Sequence, residues 1–129
     1  LVACSSVYYA APPGQIPAAL DRLFYSAGKH LRLNPGAAGA SARRAGTTAT
    51  LDQLNKYCTI NQMPVVSSRY WNMVHGTTPD EVRRDEEGLA VMRTLGHNMA
   101  WLLKSIEAGR AAGLEPPVQE PPARTNLIR

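Results

Sequence analysis

Gly36 to Thr59 reads GAAGASARRAGTTATLDQLNKYCT, and the order of elements inside it sets the expected architecture. Gly36 to Ala42 is poor in classical strand formers, yet its place in the chain makes it a strand. Its small side chains let a backbone or a flat ligand approach closely. Arg43 to Thr48 follows as a Gly-containing basic loop. Thr50 and Gln53 then have the spacing of a capping box that opens a helix running to about Thr59.

Similar units lie on both sides. Upstream, Leu1 to Tyr9 (LVACSSVYY) is an apolar first strand, stopped by a turn at Pro12 to Gly14. Ile16, Leu20, Leu23 and Phe24 then keep helical spacing from Gln15, with Pro17 in the first turn and Gly28 as the stop. Downstream, Met63 to Arg69 (MPVVSSR) is the expected third strand. Thr78, Pro79, Asp80 and Glu81 form a strong helix start with a capping box. Leu89, Met92, Leu95, Met99, Leu102, Leu103 and Ile106 continue it as one apolar stripe to about Ala112. The prolines from Pro116 to Pro122 mark an extended tail, so residues 1–113 form one domain and 114–129 a Pro-rich appendage.

Alternation of three strands with three helices predicts an α/β fold built on a parallel sheet with right-handed crossovers. Three strands are few for a sheet covered on both faces, and a chain opening on an apolar strand exposes an unpaired edge. Earlier sequence or a partner chain is therefore expected beside the first strand.

Composition narrows the function. A 129-residue chain with 44% hydrophobic and 19% charged residues is an ordinary folded domain. It has no apolar run long enough to span a bilayer and no export signal, so a cytoplasmic location without membrane contact is expected. The net charge of +4 is scattered over Arg43, Arg44, Arg124 and Arg129, and aromatics are 6% of residues. That argues against nucleic acid as a partner. Cys4 and Cys58 are two distant thiols. No metal-ligand spacing and no catalytic triad emerges, so no catalytic residue is named.

Ligands of open α/β sheets bind beyond the carboxyl ends of the strands. Three segments are expected there: Ser5, Ser6, Val7, Tyr8 and Tyr9; the loop from Ser41 to Thr48; and Tyr70 to His75. The middle loop offers backbone N–H groups and a positive helix end to an anion or to the edge of a heterocycle. It also reads as a solvated basic turn. Tyr8 and Tyr9 either flank a planar ring or divide between packing and exposure, and Tyr70 and Trp71 are equally ambiguous. On a helical wheel Trp101 falls opposite the apolar stripe, beside Arg93, His97 and Lys104. There it makes a subunit contact or lies along its own helix.

At these segments the sequence resembles the NAD(P)H-dependent FMN reductase family, including the flavodoxin-like domain of iron–sulfur flavoproteins. The resemblance lies in SSVYY with the helix containing ALDRLFY, in SARRAGTTATLDQL, and in PVVSSRYWNMVHG with the final helix, covering Leu1 to Gly113. It implies the C-terminal portion of a flavodoxin-like, doubly wound domain. It further implies FMN as cofactor, NADPH or NADH as donor, and hydride passing through flavin to a flavin, quinone or protein acceptor. A homo-oligomer, dimer or tetramer, is also implied. Carried over by position, Ser5 to Tyr9 contact the ring and ribityl region, and Ala42, Arg43, Arg44, Gly46 and Thr47 border the pyrimidine edge. Tyr70, Trp71 and Asn72 lie near the site or at a subunit contact. Two departures stand out: Ser6 replaces the family's usual proline, and the Ser/Gly-rich phosphate loop is absent. The alternative is a non-catalytic interaction or assembly subunit that keeps the fold without flavin.

Overall fold

The computed structural model describes residues 1–128, and Arg129 lies outside them. Three parallel strands, β1 (Val2–Ser6), β2 (Ala37–Ala42) and β3 (Met73–His75), lie side by side in that order. Val2 pairs with Ala37 through to Ser6 with Ser41, and Ala40 pairs with Met73 through to Ala42 with His75. The crossovers are α1 (Gln15–Leu31) and α2 (Thr47–Ile60), and β3 leads into α3 (Pro79–Arg84) and α4 (Glu86–Ala111).

The central strand β2 is buried on both faces, which is why it can be all Ala, Gly and Ser. Successive side chains of a strand point to opposite faces. Ala38 and Ala40 accordingly pack with Leu20 of α1 and Leu51 and Leu54 of α2, whereas Ala37 packs with Val66 and Leu95 of α4. Helices cover both faces, so the sheet is doubly wound in the flavodoxin-like manner. At Gly39 a Cβ would lie 2.9 Å from Cys4 Sγ and 3.2 Å from Met92 Cε. The bare backbone thus lets α4 settle onto the sheet.

Several boundaries differ from expectation, each for a local reason. β1 stops at Ser6, and the chain reverses at Tyr9–Ala10, ahead of the prolines. The first helix runs past Gly28 to Leu31; Gly28 lies against the Asn61 side chain, whose Nδ2 donates to the Gly28 carbonyl at 2.8 Å. α2 begins at Thr47 behind Gly46, not at a Thr50 capping box; Thr50 is wholly buried.

The third strand moves furthest. Of Met63 to Arg69, only Val65 forms a bridge, an isolated one to Gly36 just before β2; the chain then moves away and returns as Met73–His75. Asn72 fills the gap. Its Nδ2 donates to Ala38 O at 2.9 Å, and its own carbonyl accepts from Ala40 N at 2.9 Å. The expected single final helix is broken at Asp85, which leaves the helical region and caps α4 through Gly88 N. The capping box at Thr78 and Glu81 is present as read. Leu103, counted in the buried stripe, is 49% exposed. Beyond Gly113 the described tail is extended and exposed, with Arg32 Nη2 donating to Pro117 O at 3.3 Å.

Candidate functional site

Parallel strands end on one side of the molecule, and the turns after β1 and β2 meet there. After Ser6, Tyr8 N donates to Ala11 O at 2.8 Å and Ala11 N to Tyr8 O at 3.0 Å. Tyr9 and Ala10, at φ 49° and 59°, make the two-residue reversal between them. Both sit in the left-handed region, which non-glycine residues occupy at some cost. Tyr9 is fully exposed and Tyr8 largely so.

The loop after β2 closes against this turn. Gly46 has φ 97°, and a Cβ on it would lie 2.9 Å from Val7 Cγ1 and 3.0 Å from Ala10 Cα. Only glycine suits both the dihedral and the space. Gly46 is also the N-cap of α2, and no side chain caps that helix. Its first-turn amides therefore remain free for an external acceptor, with the positive end of the helix dipole behind them. Arg43 and Arg44 are exposed on the same loop. The end of β3 is tied to this side by Gly76 N donating to Ala42 O at 3.1 Å.

Some candidates face elsewhere. Ser5 is buried and its Oγ donates to Ser6 O at 2.8 Å; Val7 packs into the core under α1 and α2. Thr47 is buried, with its hydroxyl 3.2 Å from Met73 Sδ, so its backbone amide is what it can offer. Ser6 is exposed, and with Cys4, Ser41, Val74 and Met92 it borders a hollow of about 310 Å³ on the α4 side of the sheet.

Tyr70, Trp71 and Asn72 precede β3 instead of following it. Asn72 is buried beside the ladder, its Nδ2 donating to Ala38 O. Tyr70 and Trp71 meet edge to face at 4.7 Å and border a separate cavity of about 140 Å³ with His75, Asp85 and Val91. Neither the Tyr8–Ala11 turn nor the Arg43–Gly46 loop lines it. Asp85 accepts from His75 N at 2.7 Å and Gly88 N at 2.9 Å, and His75 Nδ1 stands 3.9 Å from Asp85 Oδ2. The hydrogen bond from Gly88, aided by that from His75, holds the Asp85 carboxyl below its ordinary range against the opposing effect of burial. Trp101 is 70% exposed on α4.

Sequence reasoning missed Ala10 and the free amide of Ala49, the residue just past the loop it singled out. Starting the helix at Thr50 hid that amide's place in the first turn; the signal that reveals it is Gly46 directly before Thr47 and Thr48.

The fold and this paired turn define a flavodoxin-like α/β domain. Residues 1–78 match the NADPH-dependent FMN reductase family, and the chain belongs to that family. The match ends at Thr78, so the long final helix lies beyond it. Among solved structures the chain is similar to the flavodoxin, WrbA-like protein from Agrobacterium tumefaciens. The TM-score is 0.56 at 12% identity, over 75% of this chain and 64% of that one. This chain thus spans just under two thirds of that protein's length. No curated protein matches the chain. Among the described residues no helix is long and apolar enough to cross a membrane.

Proposed function

We propose that this chain forms the ring-binding part of an FMN-dependent oxidoreductase, with the flavin's pyrimidine edge against the start of α2 and its ring beside the Tyr8–Ala11 turn. The observation that carries this reading is the contact of Gly46 with Val7 and Ala10 at an uncapped helix start. It sets two closely packed turns beside a group of free donors, which suits an electron-rich heterocycle. Bound FMN supplies two-electron exchange between NAD(P)H and an acceptor such as a flavin, a quinone or a redox protein.

The chain's own residues orient and stabilise. Amides of Thr47 to Ala49 donate toward the ring edge, and the α2 dipole and the Arg43 and Arg44 guanidinium groups favour negative charge developing there. Such donors are fixed before binding, so they cost little reorganisation. Tyr8 offers an aromatic wall with a hydroxyl at its rim. No side chain of the cradle is required as an acid or base. The sequence holds no Ser/Gly-rich phosphate loop, so the phosphate must be held by residues outside this set. Oligomerisation and a cytoplasmic location belong to the same proposal.

Protein purified with FMN should show flavin absorption that NADPH bleaches under anaerobic conditions. Full-length protein that stays colourless in excess FMN would instead favour the non-catalytic assembly role.

A further inference from the structure

We propose that the corner cavity beside Tyr70 and Trp71 is a second ligand site, one that takes the trimethylammonium headgroup of a small organic cation. The two rings meet at a centroid distance of 4.7 Å with their planes 72° apart, which makes two walls of an open box. Both side chains are 56% exposed, so their faces are not used up by the core. Met73, Gly88 and Val91 supply a carbon-rich remainder, and Asp85 and Glu87 add two carboxylates.

The walls are fixed before any ligand arrives. Asn98 Nδ2 donates to Ser67 O at 2.8 Å and Ser68 Oγ to Val91 O at 2.6 Å, tying the approach to the rings onto α4. On the other side of the pair, Asn72 Nδ2 donates to Ala38 O at 2.9 Å. A loop held on both sides of two adjacent aromatics gives up little freedom when a ligand enters.

Charge and size select the ligand. The negative faces of tyrosine and tryptophan attract a cation, tryptophan most strongly. Asp85 is engaged with the His75 and Gly88 amides and offsets the positive end of α4. Glu87, by contrast, is exposed and makes no ion pair among the described residues. Arg69 borders the neighbouring hollow, and among the described residues no arginine or lysine lines this one. An anion would meet carboxylates and ring faces of its own sign. A primary ammonium, strongly hydrated, would need several acceptors where only Glu87 has a free carboxylate to offer. Methyl groups on nitrogen match the rings, the Met73 thioether and Val91 instead. The cavity is about 140 Å³, and at roughly 30 Å³ for each water-sized atom it holds about five heavy atoms. That is the size of a nitrogen with its four carbons. None of these side chains belongs to the Tyr8–Ala11 turn or the Arg43–Gly46 loop, so the site stands or falls apart from the flavin reading.

Heteronuclear NMR of the labelled full chain, following the Trp71 indole and the Gly88 amide, tests the site. The titration is run at about pH 8, where ordinary imidazoles such as that of His75 are neutral. Tetramethylammonium chloride should shift both signals saturably in the millimolar range, with or without FMN. Neopentyl alcohol, close to it in shape but neutral, and methylammonium, standing in for the end of a lysine, should each bind about tenfold more weakly. Trp71→Ala should abolish the Gly88 shift and Trp71→Phe restore part of it, with far-UV circular dichroism unchanged in both because the side chain is exposed. Glu87→Gln should weaken binding about threefold, and Trp101→Ala should leave it as it is. Neopentyl alcohol or methylammonium binding as well as tetramethylammonium would overturn the proposal. So would a non-saturating shift that sodium chloride reproduces, or wild-type binding by the Trp71→Ala chain.

Discussion

The turn pair at Tyr8–Ala11 and Arg43–Thr47 and the corner from Tyr70 to Gly88 border the same small sheet, yet they treat polar groups in opposite ways. In the corner the backbone amides of the turns are taken up by side-chain carboxylates. Asp85 takes the amides of His75 and Gly88, Glu81 those of Thr77 and Thr78, and Asn72 bridges the broken ladder. In the turn pair, α2 begins without a side-chain cap, and the tyrosines stand in solvent. Buried polar groups in folded chains are normally satisfied internally. Donors gathered at a helix start without a cap are what remains for a ligand. The corner contains His75, Asp85, Tyr70 and Trp71, a more conspicuous set of side chains, but the Asp85 carboxylate is spent on holding the chain together.

Substitutions sharpen that contrast. Gly46→Ala has the largest expected effect because it strikes both functions of its loop. A side chain at φ 97°, pressed on Val7 and Ala10, should cost about 2 kcal/mol in urea unfolding and weaken FMN binding as well. Asp85→Ala should cost about 1–2 kcal/mol by stripping the α4 cap and the His75 amide of their acceptor, with FMN affinity unchanged. Its pH dependence has a definite sign. The folded carboxyl is held below its unfolded value of 3.8, so its contribution is whole above that pH. It is lost as the pH falls through the lowered folded value; in the Asp85→Ala chain this acid-side loss should be absent. Arg43→Ala with Arg44→Ala is the converse test. Both side chains are exposed, so stability should stay within about 0.5 kcal/mol of wild type. FMN affinity should fall about two- to fivefold. Equal damage to stability and binding by Asp85→Ala and by the arginine pair would erase the distinction.

Much of this arrangement was readable from residues alone, and the exceptions share a cause. The small-residue strand, the loop with Arg43 and Gly46, and the Thr78 capping box depend on local chemistry and stand where the sequence put them. Met63 to Arg69 has the stronger strand composition, but it pairs only through the isolated bridge of Val65 with Gly36. The return at Met73 depends on Asn72 reaching Ala38, a contact between residues 34 apart. The break at Asp85 depends likewise on the His75 amide, 10 residues away. Thr50 and Gln53 mimic a cap that Gly46 pre-empts, because the left-handed glycine lets the helix begin one turn earlier. With the strand at Met73–His75, Tyr70, Trp71 and Asn72 lie before it and not after it.

Backbone amide NMR of the isotopically labelled protein during FMN titration tests the central claim most directly. The account predicts shifts concentrated at Tyr8–Ala11 and Arg43–Ala49, with Tyr70–Asp85 quiet. Shifts concentrated at Tyr70–Asp85, or none at saturating FMN, would contradict it.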